Sequence, residues 1–245
     1  MNKSTLYGLT VLALALVITA LIGAHALTHR NDRGNSIVVR GGVEADIESD
    51  LIVWQLTIQS KSSSPLQGLR DVERQRVALQ QYLSDNGVTA EEILYGAVNY
   101  SERTAGYYRE SEKRYIEEHL GYIVEQNVTI TSNDLDKIEK VARNVGSLIE
   151  MNVTAEAYAP KYYYTKLAGL KLKLLAAATE DALERAETIA QHSKCRLGSL
   201  KESKMGVFQI TGKNSDEDYS WGGSYNTSSR EKTISITVYS EFYIK

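Results

Sequence analysis

The sequence predicts an α+β protein: a two-layer sandwich of mainly antiparallel strands with long helices on one face, after an N-terminal hydrophobic helix. Three observations carry this. Apolar residues alternate with polar ones over Leu51–Ser60, Leu120–Thr131 and Lys232–Ile244, the period of a strand with one buried face. Between those runs, apolar residues recur at helical spacing in three stretches. The resulting order, β-β-α-β-β-α-β-α-β-β, places helices between strand pairs, as layered α+β folds require.

The elements follow in order. Lys3 precedes an uncharged run from Ser4 to Thr28 with its apolar centre at Leu6–Ile22. About 20 helical residues span the ~30 Å of a bilayer core. Residues 1–28 are therefore expected to be a membrane anchor. A cleaved signal segment is the alternative, with Ala24-His25-Ala26 as the cut site. Residues 29–35 form a polar linker, and 36–245 one domain that two interleaved α+β subdomains could make up. Ser36–Arg40 is expected as a short strand ended by Gly41-Gly42. In Leu51–Ser60, Ile52, Trp54, Leu56 and Ile58 share one face. Ser64 then caps a helix with Pro65 at its first position. Leu66, Leu69, Val72, Leu79 and Leu83 line that helix, Arg76 interrupts the stripe, and Asn86-Gly87 ends it. Glu92–Ser101 reads as a strand, and the polar, Tyr-rich stretch Arg103–Glu118 as a hairpin tip or flexible loop. After the Leu120–Thr131 strand, Asn133 or Asp134 caps a helix carrying Leu135, Ile138, Val141, Val145 and Leu148. Val153–Tyr164 is expected as a strand with Pro160 near an edge or bulge. Lys166–Lys194 is the longest helix, lined by Leu167, Leu170, Leu174, Ala178, Ala182, Ala186 and Ile189; its alanines let a sheet approach closely. Leu200–Thr211 is a strand and Gly212–Ser229 a polar loop. The last strand points Ile234, Ile236, Val238, Phe242 and Ile244 inward, and Tyr239 and Tyr243 outward.

Composition bounds the function. The 245 residues carry a formal charge of −3, with 42% hydrophobic and 24% charged residues, which is ordinary globular composition. A mildly acidic chain lacks the basic surface that nucleic-acid binding needs. Cys195 is the single cysteine, so neither an internal disulfide nor a cysteine metal cage is available.

Motifs that would carry chemistry are sparse. Gly206–Asn214 has five residues between its glycines where a phosphate loop has four, and Asn214 where Ser or Thr would bind magnesium, so it reads as a strand ending at a turn. His192 and Cys195 are three apart without a third ligand, which favours a buried thiol beside a surface histidine. No Gly-x-Ser-x-Gly elbow occurs. Glu91-Glu92 and Glu117-Glu118 would point to opposite faces of a strand as solvated charges. The sequons at Asn99, Asn127, Asn152 and Asn226 read as chance matches. No catalytic residue, cofactor site or metal site is assigned. Tyr is abundant, 16 residues against two Phe, and offers large amphipathic area. Tyr162, Tyr163, Tyr164, Tyr239 and Tyr243, with Tyr107-Tyr108, form the candidate interaction surface. The alternative is that Tyr simply suits half-buried strands.

The body resembles the SIMPL-domain (DUF541) family of exported bacterial proteins, whose members include a periplasmic immunogenic protein and oxidative-stress-defence proteins. The resemblance lies in Ser36-Ile37-Val38-Val39-Arg40-Gly41 followed by the Asp50–Ile58 strand, in Asp85-Asn86-Gly87-Val88 with Glu91-Glu92-Ile93, and in the Ala176–Ala186 helix with Leu197-Gly198. It continues through Met205–Thr211 and the Lys232–Ile244 strand. It implies an exported or anchored α+β protein and transfers no catalytic residue. Glu44-Ala45-Asp46 replaces a frequent Pro-Asp turn, and Asn214–Ser229 a Pro/Gly-rich loop, departures that touch loop-borne function more than fold. The expected activity is non-enzymatic: an envelope protein acting as a homo-oligomer or with an envelope partner, in envelope or oxidative stress defence. It would be an inner-membrane single-pass protein with a periplasmic body, or periplasmic if the N-terminal segment is cleaved. A cryptic hydrolase and a small-ligand carrier are the alternatives.

Overall fold

A computed structural model describes residues 3–28 and 35–245, so the linker predicted over 29–35 lies, save for its last residue, outside the described residues. The order is α1 (Lys3–Thr28), β1 (Ser36–Glu48), β2 (Leu51–Ser62), α2 (Pro65–Asp85), β3 (Ile93–Arg109), β4 (Arg114–Ser132), α3 (Leu135–Arg143), β5 (Ala155–Ala157), β6 (Lys161–Tyr163), α4 (Leu167–His192), β7 (Leu197–Met205), β8 (Gln209–Gly212), β9 (Ser224–Tyr225) and β10 (Glu231–Ile244). This is the predicted α+β class, with the strands divided between two five-stranded sheets. One has the order β1-β10-β8-β9 with β7 also on β10. The other has β3-β4-β2-β5 with β6 also on β2. β10 pairs antiparallel with β7, β2 with β4, β5 and β6, and β3 with β4, whereas β8 and β9 run parallel. Two compact units interleave along the chain: Met1–Ala45, Ala168–Phe208 and Ser235–Lys245 form one, Asp46–Leu167 and Gln209–Ile234 the other.

In α1 the side chains are described from Leu12 to Leu27, and Leu12, Leu14, Leu16, Val17, Ile18, Leu21, Ile22 and Leu27 are all exposed. Among the described residues no helix is long and apolar enough to cross a membrane.

In the first unit, α4 packs its small face on β1. Leu174, Ala178, Ala182, Ala186 and Ala190 are buried, and the helical period carries the face to Ala190, leaving Ile189 exposed. The strand expected to stop at Gly41-Gly42 runs through both glycines. Gly41 serves close approach: a Cβ there would stand 2.1 Å from the Ala178 carbonyl oxygen and 2.5 Å from the Ala182 nitrogen. Gly42 N–H donates to Asp181 Oδ2 at 2.8 Å, tying strand to helix again. The predicted Leu200–Thr211 strand is two strands, broken at 206–208 where Phe208 turns toward the Lys171 ammonium, 5.1 Å from its ring centre.

The second unit holds the larger core. Ile52, Trp54, Leu56 and Ile58 alternate inward from β2 as predicted, meeting Val124, Val128 and Ile130 of β4. Val72, Leu79 and Leu83 of α2 and Leu135, Ile138 and Val141 of α3 cover them. Each such side chain, buried from water, contributes about 1.5–3 kcal/mol. Ser64 caps α2 through Gln67 N–H, and Asp134 caps α3 through Lys137 N–H at 3.0 Å. Leu66, expected in the α2 stripe, is exposed, while Gly68 and Gln75 are buried. Gln75 fits because its amide is satisfied: Nε2 donates to Gln59 O at 2.9 Å and Oε1 accepts from Thr154 N–H at 2.6 Å. The predicted Val153–Tyr164 strand is interrupted at Tyr158–Pro160, since proline lacks the N–H that would continue the ladder on β2.

Candidate interaction surface

The stretch Arg103–Glu118, expected as a tip or loop, is the far end of a long hairpin. Both strands continue until Arg109 pairs with Arg114. The third strand stops earlier, since β2 accompanies β4 only as far as Ser62 opposite Tyr122. Beyond that point β3 and β4 form a two-stranded arm with no neighbour on either edge among the described strands. Gly121 stands where the arm leaves the sheet, at φ 106 and so near β2 that a Cβ would lie 2.4 Å from the Ser62 carbonyl oxygen. A register shift between Arg103 and Thr104 marks the same place.

From Ser101 to Leu120 every residue is exposed except Arg103, Ala105 and Ile116, which are half-buried. The exposed side chains include large apolar groups: Tyr108 is 55% and Tyr115 72% accessible. These two face each other across the ladder, and Tyr107 faces Ile116. The Tyr115 ring lies over Gly106, so close that a Cβ there would come within 2.3 Å of it. The tip is tied by charge. Arg109 and Arg114 both pair with Glu112 at 2.5 Å, Arg109 also reaches the Tyr107 hydroxyl at 2.8 Å, and Lys113 takes the left-handed turn position at φ 49. Along the stem, His119 Nδ1 lies 2.5 Å from Glu102 and Thr104 Oγ1 donates to Glu117 at 2.8 Å. The tip therefore holds Arg109, Lys113 and Arg114 with Glu110 and Glu112. The stem holds Glu102, Glu117 and Glu118 with Arg103.

The tyrosines singled out by strand alternation are less accessible. Tyr162, Tyr163, Tyr164, Tyr239 and Tyr243 are all half-buried and fall in different units, three in one and two in the other. Tyr162 packs against the larger core, and burial pushes its hydroxyl above the ordinary tyrosine range, with the Glu139 carboxylate adding to the shift. The Tyr163 ring stands 6.4 Å from that of Tyr225. Tyr243 lies under the Lys201 ammonium at 5.8 Å, and Tyr239 pairs with Lys204 across the ladder. Tyr107 and Tyr108 do stand outward on the arm.

Other sequence-predicted features settle locally. Gly206–Asn214 begins just after β7 and contains all of β8, which closes at Gly212 in a turn and opens no helix. Cys195 is half-buried with its Sγ 3.6 Å from Ala190 O, and His192 is exposed. Glu92 is not merely solvated. Burial alone would raise its carboxyl, but hydrogen bonds from Ser132, Lys137 and the Thr89 N–H outweigh that and hold it below the usual range. Among the described residues no group of three His, Cys, Asp or Glu is placed to hold a metal ion.

Comparison with known proteins adds the family. A structural match pairs the chain with "De novo designed protein Foldit4" at 18% identity and a TM-score of 0.19, over 44% of this chain and 93% of that one. No curated protein matches. The family profile described as "SIMPL: Protein of unknown function (DUF541)" matches residues 37–242, which is nearly all of both units, and the chain therefore belongs to the SIMPL family.

Proposed function

We propose that this SIMPL protein works by self-association through the β3–β4 arm rather than by catalysis. The observation that carries the reading is the arm itself, solvated on both faces, open on both edges and bearing exposed tyrosines. An isolated two-stranded hairpin is marginal in water, so an arm of this length gains from a surface to lie against. Unpaired strand edges accept another strand through main-chain hydrogen bonds. The charge layout suits a second copy: two arms laid antiparallel bring the cation-richer tip of one to the acid-richer stem of the other, the self-complementarity of a two-fold contact.

The same reading places the protein in the cell envelope, with α1 held in the inner membrane and the body on the periplasmic side, in envelope or oxidative stress defence. The uncharged run Ser4–Thr28 and the apolar side chains exposed around α1 support the anchor. N-terminal sequencing of the membrane fraction should return a start upstream of Leu27; a mature chain beginning at Leu27 refutes the anchor.

Sedimentation of the full-length chain in detergent tests the association. The wild-type protein should sediment as an oligomer, and Tyr108→Ser with Tyr115→Ser should shift it toward monomer with its circular dichroism unchanged. If these tyrosines anchor the contact, their loss weakens association by about 2 kcal/mol or more. A monomeric wild type, or an oligomer indifferent to both substitutions, removes the proposal.

A further inference from the structure

The interruption between β5 and β6 leaves a concavity that the arm does not explain. Pro160 ends pairing with β2, and the segment Tyr158–Pro160 swings aside while Tyr158 N–H still donates to Gln55 O at 3.0 Å. Trp54, wholly buried, donates from its indole nitrogen to Tyr158 O at 3.0 Å and lies directly behind the space so opened. The C-terminal end of α3 forms the opposite wall. The cavity between them measures about 420 Å³, within the range of small-molecule sites. Its apolar lining comes from Trp54, Ala142, Val145, Ala157, Ala159 and Pro160.

Besides the exposed Tyr158, three polar side chains stand at this cavity, Tyr162, Glu139 and Arg143. Two are engaged. The Glu139 carboxylate acts on the Tyr162 hydroxyl, helping to hold it above the ordinary tyrosine range, and lies 3.5 Å from Arg230, whose guanidinium pairs further with Glu48 at 2.8 Å and Asp136 at 2.5 Å. Arg143, the last residue of α3, is exposed, and its side chain makes no hydrogen bond or ion pair among the described residues. A helix C-terminus favours a cation there, and the exposed guanidinium at the mouth offers its donors to an anion.

We propose that this cavity binds a small carboxylic acid with a flat apolar body, the ring lying against the Tyr158–Pro160 wall in front of Trp54 and the carboxylate meeting Arg143. Aromatic and proline walls suit a planar ring, and a guanidinium is the geometric match for a carboxylate. The site lies wholly in the second unit and does not depend on the arm.

Tryptophan fluorescence reads this directly. The chain has two tryptophans, and Trp221 is fully exposed, so Trp221→Phe leaves Trp54 in the cavity wall as the single reporter. The full-length Trp221→Phe chain is titrated with phenylacetate and with the uncharged phenylacetamide. Phenylacetate should change Trp54 emission saturably, and phenylacetamide should bind about tenfold more weakly or worse, the worth of a charge-assisted hydrogen bond. Adding Arg143→Gln should weaken phenylacetate about tenfold and abolish the difference between the two probes, with the urea unfolding midpoint unchanged. Ala159→Phe, which fills the cavity, should remove the response to both. No saturable response into the millimolar range overturns the proposal. So does equal affinity for the two probes, or phenylacetate binding that survives Arg143→Gln.

Discussion

Lys232 gives the sharpest test of the energetics, because it is a wholly buried ammonium on β10. Its Nζ donates to the Ser229 carbonyl and lies 3.4 Å from Asn226 Oδ1, both neutral acceptors. Asn226 passes the interaction on to the Glu217 carboxylate. Burial pushes the Lys232 ammonium down from 10.5 to about 8, with the charge of Glu217 acting the other way. In the unfolded chain the lysine keeps its proton up to pH 10.5, while the folded chain releases it near 8. Between those values the unfolded state binds more protons, so stability rises with pH through that window. Below it the burial cost is constant, and the shift corresponds to about 3 kcal/mol. Lys232→Met keeps the length and removes the titration. Urea unfolding of both chains at a series of pH values from 7 to 10 should show the wild type gaining about 2.5 kcal/mol relative to the Met variant, the rest of the shift being gained above pH 10. Burial raises the Tyr82, Tyr95 and Tyr162 hydroxyls, which act against the fold only above pH 10 and are common to both chains. A difference between the two chains that stays flat across the window refutes the reasoning.

Gly41→Ala should destabilise by about 1–3 kcal/mol or more in urea unfolding, because the atoms that its Cβ would meet on α4 are backbone and cannot rotate away; an unchanged midpoint would show that strand and helix part freely. Cys195→Ser should cost at most about 1–2 kcal/mol and leave any cellular phenotype intact at equal protein level, since the thiol is half-buried with a carbonyl as its contact. A chain starting at Asn35 should unfold cooperatively, because Asn35 already holds the end of β10 through Ile244 N–H at 3.1 Å; a molten product from it, beside a well-behaved full-length chain, would show that α1 is needed for folding.

Period-two alternation was enough to find β2, β4 and β10, because each buries one face against helices and the burial is written residue by residue. Helix caps were equally legible, since Ser64 and Asp134 act on their own neighbours three residues on. What misled were residues whose reason lies far along the chain. Gly41 reads locally as a strand end, yet its partners are Ala178 and Ala182. Gln75 reads as a solvent residue, yet it is satisfied by Gln59 and Thr154. The candidate surface divides along the same line. Tyr107 and Tyr108 were nameable as an aromatic pair in a polar stretch, but the rows of Tyr162–Tyr164 and Tyr239–Tyr243 are half-buried by neighbours that alternation cannot reveal. The cavity beside Trp54 left one trace, Pro160 inside a strand-like run, and the unpaired Arg143 left none.

The arm and Lys232 both work against the stability of the fold. A ribbon that buries almost nothing must still be ordered, at about 1–2 kcal/mol of backbone entropy per residue fixed. Its ties, the Glu112 pairs and the Glu102–His119 contact, are exposed, and exposed pairs are worth about 0–1 kcal/mol each. Folding alone would therefore favour a short turn after Tyr122, where β2 ends and the core stops. The chain instead extends both strands to Arg109 and Arg114, caps them with a charge-tied turn and sets tyrosines along them. Departures from local stability tend to gather where a protein makes contact. The Tyr108 and Tyr115 substitutions separate the two readings when unfolding and sedimentation are measured together. If the arm served only the fold, removing their rings would lower the unfolding midpoint and leave sedimentation unchanged. If it serves association, the midpoint of the isolated protomer stays and the assembly comes apart.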